Sequence, residues 1–333
     1  MRKSPSFAAL VQEFFTDYLV HQRALSPQTV ASYRDAFMLL LDFAEKRLGK
    51  GPTALQLADI TPDLLLGFLD HLERNRNNSV RTRNARLAAV RSFLKFAARR
   101  NVTSLHHVER ALAVPMKRFD RPMVEVLTRE QMLAIIDAPP ASWLGRRDRL
   151  LFTMLYNTGA RISEILGVRV ADLVLGDASY VRLRGKGRKQ RSVPLWKTTV
   201  KEIRAWLQRN GDPGPDWPVL PTRAGTGMTR ANAAQRLQRA VKVATKQCPE
   251  LAMRSVSPHT IRHTTAMHLL QAGVDISVIA LWLGHESPST THMYIELDLA
   301  MKDLALSRIE APPSKKVTRY RPPDDLLRFL RAL

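Results

Sequence analysis

The sequence predicts a mainly α-helical protein with one small β-hairpin or sheet, divided into two domains. Three observations carry this expectation. The chain has 333 residues, which at about 100–200 residues per domain gives two. Ser-Pro and Thr-Pro pairs recur ahead of apolar residues at helical spacing, the pattern of capped helix starts. One stretch alone alternates apolar with basic residues across a Gly-flanked turn, as a hairpin does. Apolar residues make up 45% of the chain and charged residues 25%, enough for a real core and against wholesale disorder.

Residues 1–112 read as a helical domain. Leu10, Phe14 and Tyr18 place a helix over Phe7 to His21. Ser26 caps a second helix with Pro27 in its first turn, carrying Val30, Tyr33, Phe37, Leu40, Leu41 and Ala44 and ending before Gly49. Thr61-Pro62 repeats the signal for Leu64 to Leu72. After the loop Asn75 to Asn78, a fourth helix sets Leu87, Val90, Leu94 and Ala97 on one face. Arg91 and Lys95, with Asn84 and Ala88, form a second stripe, so this helix can dock on a bundle and still present cations to a DNA groove.

Residues 113–123 hold Pro115, Pro122 and four charges without periodicity, and read as a linker. A second domain covers 124–311. Thr128 caps a helix to Asp137, and Arg147 to Asn157 forms another, stopped by Gly159. Tyr180 to Arg184 and Gln190 to Leu195 read as two strands joined by the turn 185–190, and the chain is then expected to be helical through Leu306. Residues 312–333 form a proline-flanked linker and a C-terminal helix with Leu326, Phe329, Leu330 and Leu333 on one face.

The charge points to partners. Lys plus Arg is 52 against 30 acidic residues, a formal net charge of +22. That excess calls for a polyanion, and its placement favours nucleic acid over an anionic membrane. Nine basic residues and no acidic one lie between Arg74 and Arg100, and six of the ten residues from Arg182 to Arg191 are basic. Membrane binding is not expected: a membrane-surface helix would want aromatics opposite its basic face, and the first run offers only Phe93 and Phe96; no apolar window is long enough for a span, and Gln12, Glu13 and Asp17 interrupt any export signal. Cys248 is the sole cysteine, which excludes an internal disulfide or multi-cysteine metal site and fits a reducing cytoplasm.

Four segments hold residues able to do chemistry. Arg161 and Glu164 lie three apart in Thr158-Gly-Ala-Arg-Ile-Ser-Glu, so they can pair; alone this is an ordinary ion pair. Lys186 sits between two glycines, which by itself is an exposed basic turn. His259, Arg262 and His263 share a helical face. A helical zinc protease needs Glu where Thr260 stands, so no metal is expected. Last come His285 in Leu-Gly-His and Tyr294 in Thr-Thr-His-Met-Tyr.

Taken together, in this order and spacing, Arg161, Lys186, His259-x-x-Arg262, His285 and Tyr294 closely resemble the tyrosine recombinase (phage integrase) family. The likeness includes Val-Pro-Leu at 193–195 and His-Thr-Ile-Arg-His-Thr at 259–264, and spans about 300 residues. It implies a helical core-site DNA-binding domain followed by a mixed α+β catalytic domain. It also implies strand cleavage by Tyr294 through a 3′-phosphotyrosyl link. Arg161, Arg262 and His285 would grip the phosphate oxygens, Lys186 (or Lys189) would protonate the leaving oxygen, and His259 would accept the phenol proton or orient the site. Glu164 would hold Arg161 or His259.

The two basic runs supply Arg81, Arg83, Arg91, Lys95, Arg184 and Arg188 as expected DNA contacts. No Walker A loop or carboxylate cluster is present, so the reaction is expected to need no cofactor or metal. The implied partners are double-stranded DNA and three further copies in a homo-tetramer on synapsed sites, with a second recombinase as the alternative partner. The implied place is the cytoplasm, on the nucleoid. Stand-alone Xer-type or mobile-element members are the nearer likeness. A type IB topoisomerase and a catalytically silent DNA-binding regulator are the competing functions.

Overall fold

The computed structural model describes residues 5–119, 125–185 and 189–284. The chain divides into two compact units, Met1–Pro122 and Met123–Leu333.

The N-terminal unit is a helical bundle whose starts follow the capping signals. Ser6 caps α1 (Phe7–Glu13), accepting from the Ala9 N–H at 3.2 Å. Ser26 caps α2 (Pro27–Leu48), Thr61 caps α3 (Pro62–Arg74) and Ser79 caps α4 (Val80–Ala98). Gly49 closes α2 with φ of +66°. A fifth helix, α5 (Leu105–Leu112), completes the bundle. The helix expected over Phe7 to His21 changes winding midway: Phe14–Gln22 is π-helical. That stretch brings Phe14, Phe15 and Tyr18 against Phe37, Phe93 and Phe96, with ring centroids 5.0–5.5 Å apart at the closest pairs. The edge-on pairs among them, Phe14 with Phe93 and Phe15 with Phe37, add about 0.5–1.5 kcal/mol each to area burial.

The C-terminal unit is built around α7 (Trp143–Thr158). Leu150, Leu151, Phe152, Met154 and Leu155 are all buried, so α7 is apolar around most of its circumference and is covered on several sides. Helices α6 (Arg129–Asp137), α9 (Lys197–Arg209), α10 (Arg230–Ala244) and α11 (Pro258–Gln271) surround it. Two short helices, α8 (Ile162–Leu166) and α12 (Ile276–Leu283), carry the segments that end at Gly167 and Gly284. His268 ties α11 to its neighbours: Tyr156 Oη lies 2.8 Å from its Nδ1, and its Nε2 lies 3.1 Å from the Leu127 carbonyl.

The sheet has three antiparallel strands in the order β1 (Leu173–Val174), β2 (Tyr180–Arg184) and β3 (Gln190–Pro194). Val181 faces Val193 and Leu183 faces Arg191. The hairpin matches the alternation in the sequence. The two-residue strand β1 does not, because two residues are too few for a period of two to register. The unbroken helix expected after the hairpin is corrected by residues 210–229. Pro213, Pro215, Pro218 and Pro221 remove donors there, and the chain forms isolated bridges, Arg169 with Pro218 and Pro221 with Gly227. The expected C-terminal helix lies outside the described residues.

Candidate active site

The site forms where three chain breaks meet. Helix α7 ends at Gly159, whose φ is +58°; a Cβ there would lie 2.5 Å from Leu283 Cδ2. Only glycine fits this combination of left-handed backbone and close approach. The turn delivers Arg161 to the start of α8. Arg161 donates its backbone N–H to Glu164 Oε2 at 2.9 Å and its Nη1 to Oε1 at 3.0 Å. The Glu164 side chain is 3% exposed, whereas that of Arg161 is 37% exposed. The carboxylate is thus a buried anchor and the guanidinium an accessible donor.

Arg262 comes from the second turn of α11, which Ser257 caps with Pro258 in its opening turn. It is 4% exposed. Its Nη1 donates to the Gly159 carbonyl at 2.8 Å and its Nη2 to the Leu283 carbonyl at 3.0 Å. This one residue therefore joins the Thr-Gly-Ala-Arg turn to the Leu-Gly turn, 103 and 21 residues away in sequence. A guanidinium has five N–H groups, so anchoring and ligand binding are compatible.

His259 lies one turn before His263 and is exposed. Its pKa is lowered by partial burial first, then by Arg262 and Arg161, which places it within electrostatic reach of both. His263 is pushed down to about 4 by burial, with His259 and Arg262 adding. Both imidazoles are therefore neutral at pH 7. Burial alone would raise the Glu164 pKa, but hydrogen bonds from Arg191 and from the Arg161 backbone hold it below the usual carboxylate value.

Arg161 pairs with Glu164, and His259 lies within electrostatic reach of Arg161 and Arg262. Lys186, Arg188, His285 and Tyr294 lie outside the described residues. The residue missed is Arg191. It donates Nη2 to Glu164 Oε2 at 2.8 Å and Nη1 to Oε1 at 3.2 Å. The signal was present: Val193 is an inward strand residue, and a residue two places away shares its face. A cation on that face needs a buried anion.

The expected DNA contacts divide. Arg81, Lys95 and Arg184 are exposed and Arg91 is half-buried. Arg184 also pairs with Asp172 at 3.2 Å. Arg83 is a correction: it is 7% exposed, pairs with Glu73 at 3.2 Å and donates to the Pro115 carbonyl at 3.4 Å. It braces the bundle and is withdrawn from the outward-facing set. Among the described residues no group of three or more His, Cys, Asp or Glu side chains forms a metal-binding cluster, and no helix is long and apolar enough to cross a membrane.

Comparison with known proteins agrees with this geometry. The pattern of the phage integrase family matches residues 125–301, and that of the phage integrase N-terminal SAM-like domain matches 12–101. The chain is 44% identical over 336 residues to y4rC of Sinorhizobium fredii, a protein named as an integrase/recombinase, with both chains covered in full. It is 33% identical to the tyrosine recombinase XerC of Rhodospirillum centenum, over 87% of this chain and 84% of that one. The fold also matches the Tn1549 transposon integrase solved with transposon right end DNA, at a TM-score of 0.69 and 16% identity over 91% of this chain and 99% of that one. With more than half its length matched by the integrase pattern and a relative aligned from end to end, the chain belongs to the phage integrase family and is a tyrosine-type site-specific recombinase.

Proposed function

We propose that this recombinase cuts and rejoins duplex DNA through a covalent link to Tyr294. The observation that carries the reading is the charge of the site. Arg161, Arg191 and Arg262 stand against one carboxylate, Glu164, an excess of 3 − 1 = +2 beside the neutral, exposed His259. Phosphoryl transfer places extra negative charge on the non-bridging oxygens at the transition state. Fixed guanidiniums answer that charge without reorganising, and one such donor is worth about 10²–10³ in rate.

In the proposed reaction, Tyr294 Oη attacks phosphorus and the bond to the 5′-oxygen breaks. His259 takes the phenol proton or orients the phenol. Lys186, with Lys189 as the substitute, protonates the departing 5′-oxygen. Arg161, Arg262 and His285 hold the phosphate, and Glu164 holds Arg161. The 5′-hydroxyl of the exchanged strand then attacks the phosphotyrosine and frees Tyr294. One phosphate ester replaces another at each step, so no ATP, metal or other cofactor is consumed. Two duplexes exchange both strands through four such cleavages, one per tyrosine, which supports a homo-tetramer on synapsed sites.

Residues 1–112 would grip the core site, with Arg81, Arg91 and Lys95 on backbone phosphates. Residues 113–123 link them to the catalytic domain at 124–311, where Arg184 and Arg188 extend the grip. Residues 312–333 would dock as a C-terminal helix. The protein would act in the cytoplasm, on the nucleoid, in integration, excision or resolution, as a stand-alone Xer-like or mobile-element enzyme.

The test is to sequence DNA recovered in covalent linkage to the protein, which defines the site and the nucleophile together. Tyr294→Phe is expected to abolish the covalent complex and to leave binding intact, with EDTA without effect. A Tyr294→Phe protein that still traps DNA moves the nucleophile to Tyr320; a wild type inactivated by EDTA rules out the metal-free route.

A further inference from the structure

Arg191 lies at an inward position of β3, opposite the fully buried Leu183, and its side chain is 13% exposed. A buried cation is costly unless paired. This one is paired at two ends. Its Nη1 and Nη2 fork onto the two oxygens of Glu164 at 3.2 and 2.8 Å, and its Nε donates to the Trp282 carbonyl at 2.9 Å. The guanidinium also occupies the space over Gly284, whose φ is +68°. A Cβ there would lie 2.9 Å from Arg191 Nη1 and 3.2 Å from Cδ. A Cβ on Gly185 would lie 3.3 Å from Glu164 Oε1. One side chain therefore joins the β2–β3 hairpin, the start of α8 and the end of α12.

The shared carboxylate gives this tie a consequence for Arg161. Both oxygens of Glu164 accept from both arginines. Held by the fork from Arg191, Glu164 is not free to turn and chelate Arg161. Among the described residues, Nη1 is then the only side-chain nitrogen of Arg161 with a protein acceptor. Its other N–H groups point to a ligand role.

We infer that Arg191 is a positioning residue for the recombination reaction: it fixes Glu164 so that Arg161 is presented to the scissile phosphate, and it holds the hairpin and the α12 end in register with that phosphate. The inference rests on the recombinase reading given above. Arg191 touches neither DNA nor the reacting atoms in this scheme, so its loss should act on rate more than on binding.

The test uses the full chain with Arg191→Ala, Arg191→Lys, Glu164→Gln and the Arg191→Ala, Glu164→Gln double variant. Hydrogen exchange without DNA comes first. Arg191→Ala should speed exchange about tenfold in both 181–185 and 281–284 while α10 is unchanged. Single-turnover formation of the covalent complex follows, on a nicked duplex carrying the site recovered from covalently captured DNA. The rate should fall about 100-fold for Arg191→Ala, as a misplaced catalytic group does, with Kd for that duplex within about threefold. Lysine should recover part of the rate, since it replaces one donor and not the fork. The double variant should be no slower than the slower single one.

An unchanged rate, multiplicative effects in the double variant, or faster exchange throughout the C-terminal unit would overturn the inference. A wild type that forms no covalent complex at all would overturn the recombinase reading itself, and with it the purpose assigned to Arg191. An active wild type beside an equally active Arg191→Ala would overturn the inference alone.

Discussion

Arg161 and Arg262 have the same side chain and opposite circumstances. Arg262 is 4% exposed and spans two backbone carbonyls, while Arg161 keeps a side-chain exposure of 37% and leans on a single carboxylate. Lysine offers one compact ammonium in place of a planar fork, so it cannot reach both the Gly159 and Leu283 carbonyls. A buried carbonyl left without a donor costs about 1–3 kcal/mol. Arg262→Lys should therefore lose both stability and cleavage. Arg161→Lys should keep its stability and lose about 10²–10³ in cleavage rate. Tryptophan fluorescence during urea unfolding separates the two, because all five tryptophans (143, 196, 206, 217 and 282) lie in the C-terminal unit. Equal destabilisation by both substitutions would mean that Arg161 is a structural anchor as well.

At the scale of elements, capping chemistry and periodicity were legible where they act locally. Ser26, Thr61, Ser79, Thr128 and Ser257 all cap the helices that follow them. The misreadings of Arg83 and Arg191 share one cause, which is that a cation was read by its type and not by its register. On α4 the buried stripe is Leu87, Val90, Leu94 and Ala97, and Arg83 lies one turn before Leu87 on that same stripe. On β3 the inward residue is Val193, and Arg191 shares its face. Both are internal anchors and were legible from spacing alone. Strand β1 was not, because nothing in two residues announces a strand, and the partner of Arg83, Glu73, comes from a different helix.

The contrast on α4 gives a measurement. Lys95 is exposed, so Lys95→Ala should remove one phosphate contact and lower the slope of log Kd against log salt by about 0.9. Arg83→Ala should leave that slope unchanged. It should instead destabilise the N-terminal unit by about 1 kcal/mol, since Arg83 is buried but Glu73 is partly exposed and keeps Lys117 at 2.6 Å, read by circular dichroism. A reduced slope in Arg83→Ala would return that residue to the DNA-facing set.

Over the whole molecule, the charge of +22 directs the protein to DNA, while three histidines of the C-terminal unit make its stability sensitive to mild acid. His263 is pushed down to about 4, and His259 and His268 are lowered as well, each with burial as the leading cause. An unfolded histidine titrates near 6.5. Between about pH 6.5 and 4 the unfolded chain therefore binds protons that the folded chain refuses, and folding stability must fall as pH falls through that window. His268 shows the reason locally, since burial and then the Arg129 cation disfavour its charged form more than the Leu127 carbonyl and Glu130 favour it. Glu164, held below the usual carboxylate value by Arg191 and Arg161, resists protonation longer than a free carboxylate and releases both arginines when it is protonated. Stability should thus be flat above pH 7 and decline from pH 6.5 downward. Each imidazole adds a slope of at most about 1.4 kcal/mol per pH unit. Urea unfolding followed by tryptophan fluorescence at pH 7.5, 6 and 5 measures this decline. His263→Asn, which cannot be protonated, should narrow the gap between pH 7.5 and 5. A gap of unchanged size would mean that His263 titrates alike in the folded and unfolded chain, so that the acid sensitivity belongs to the other groups.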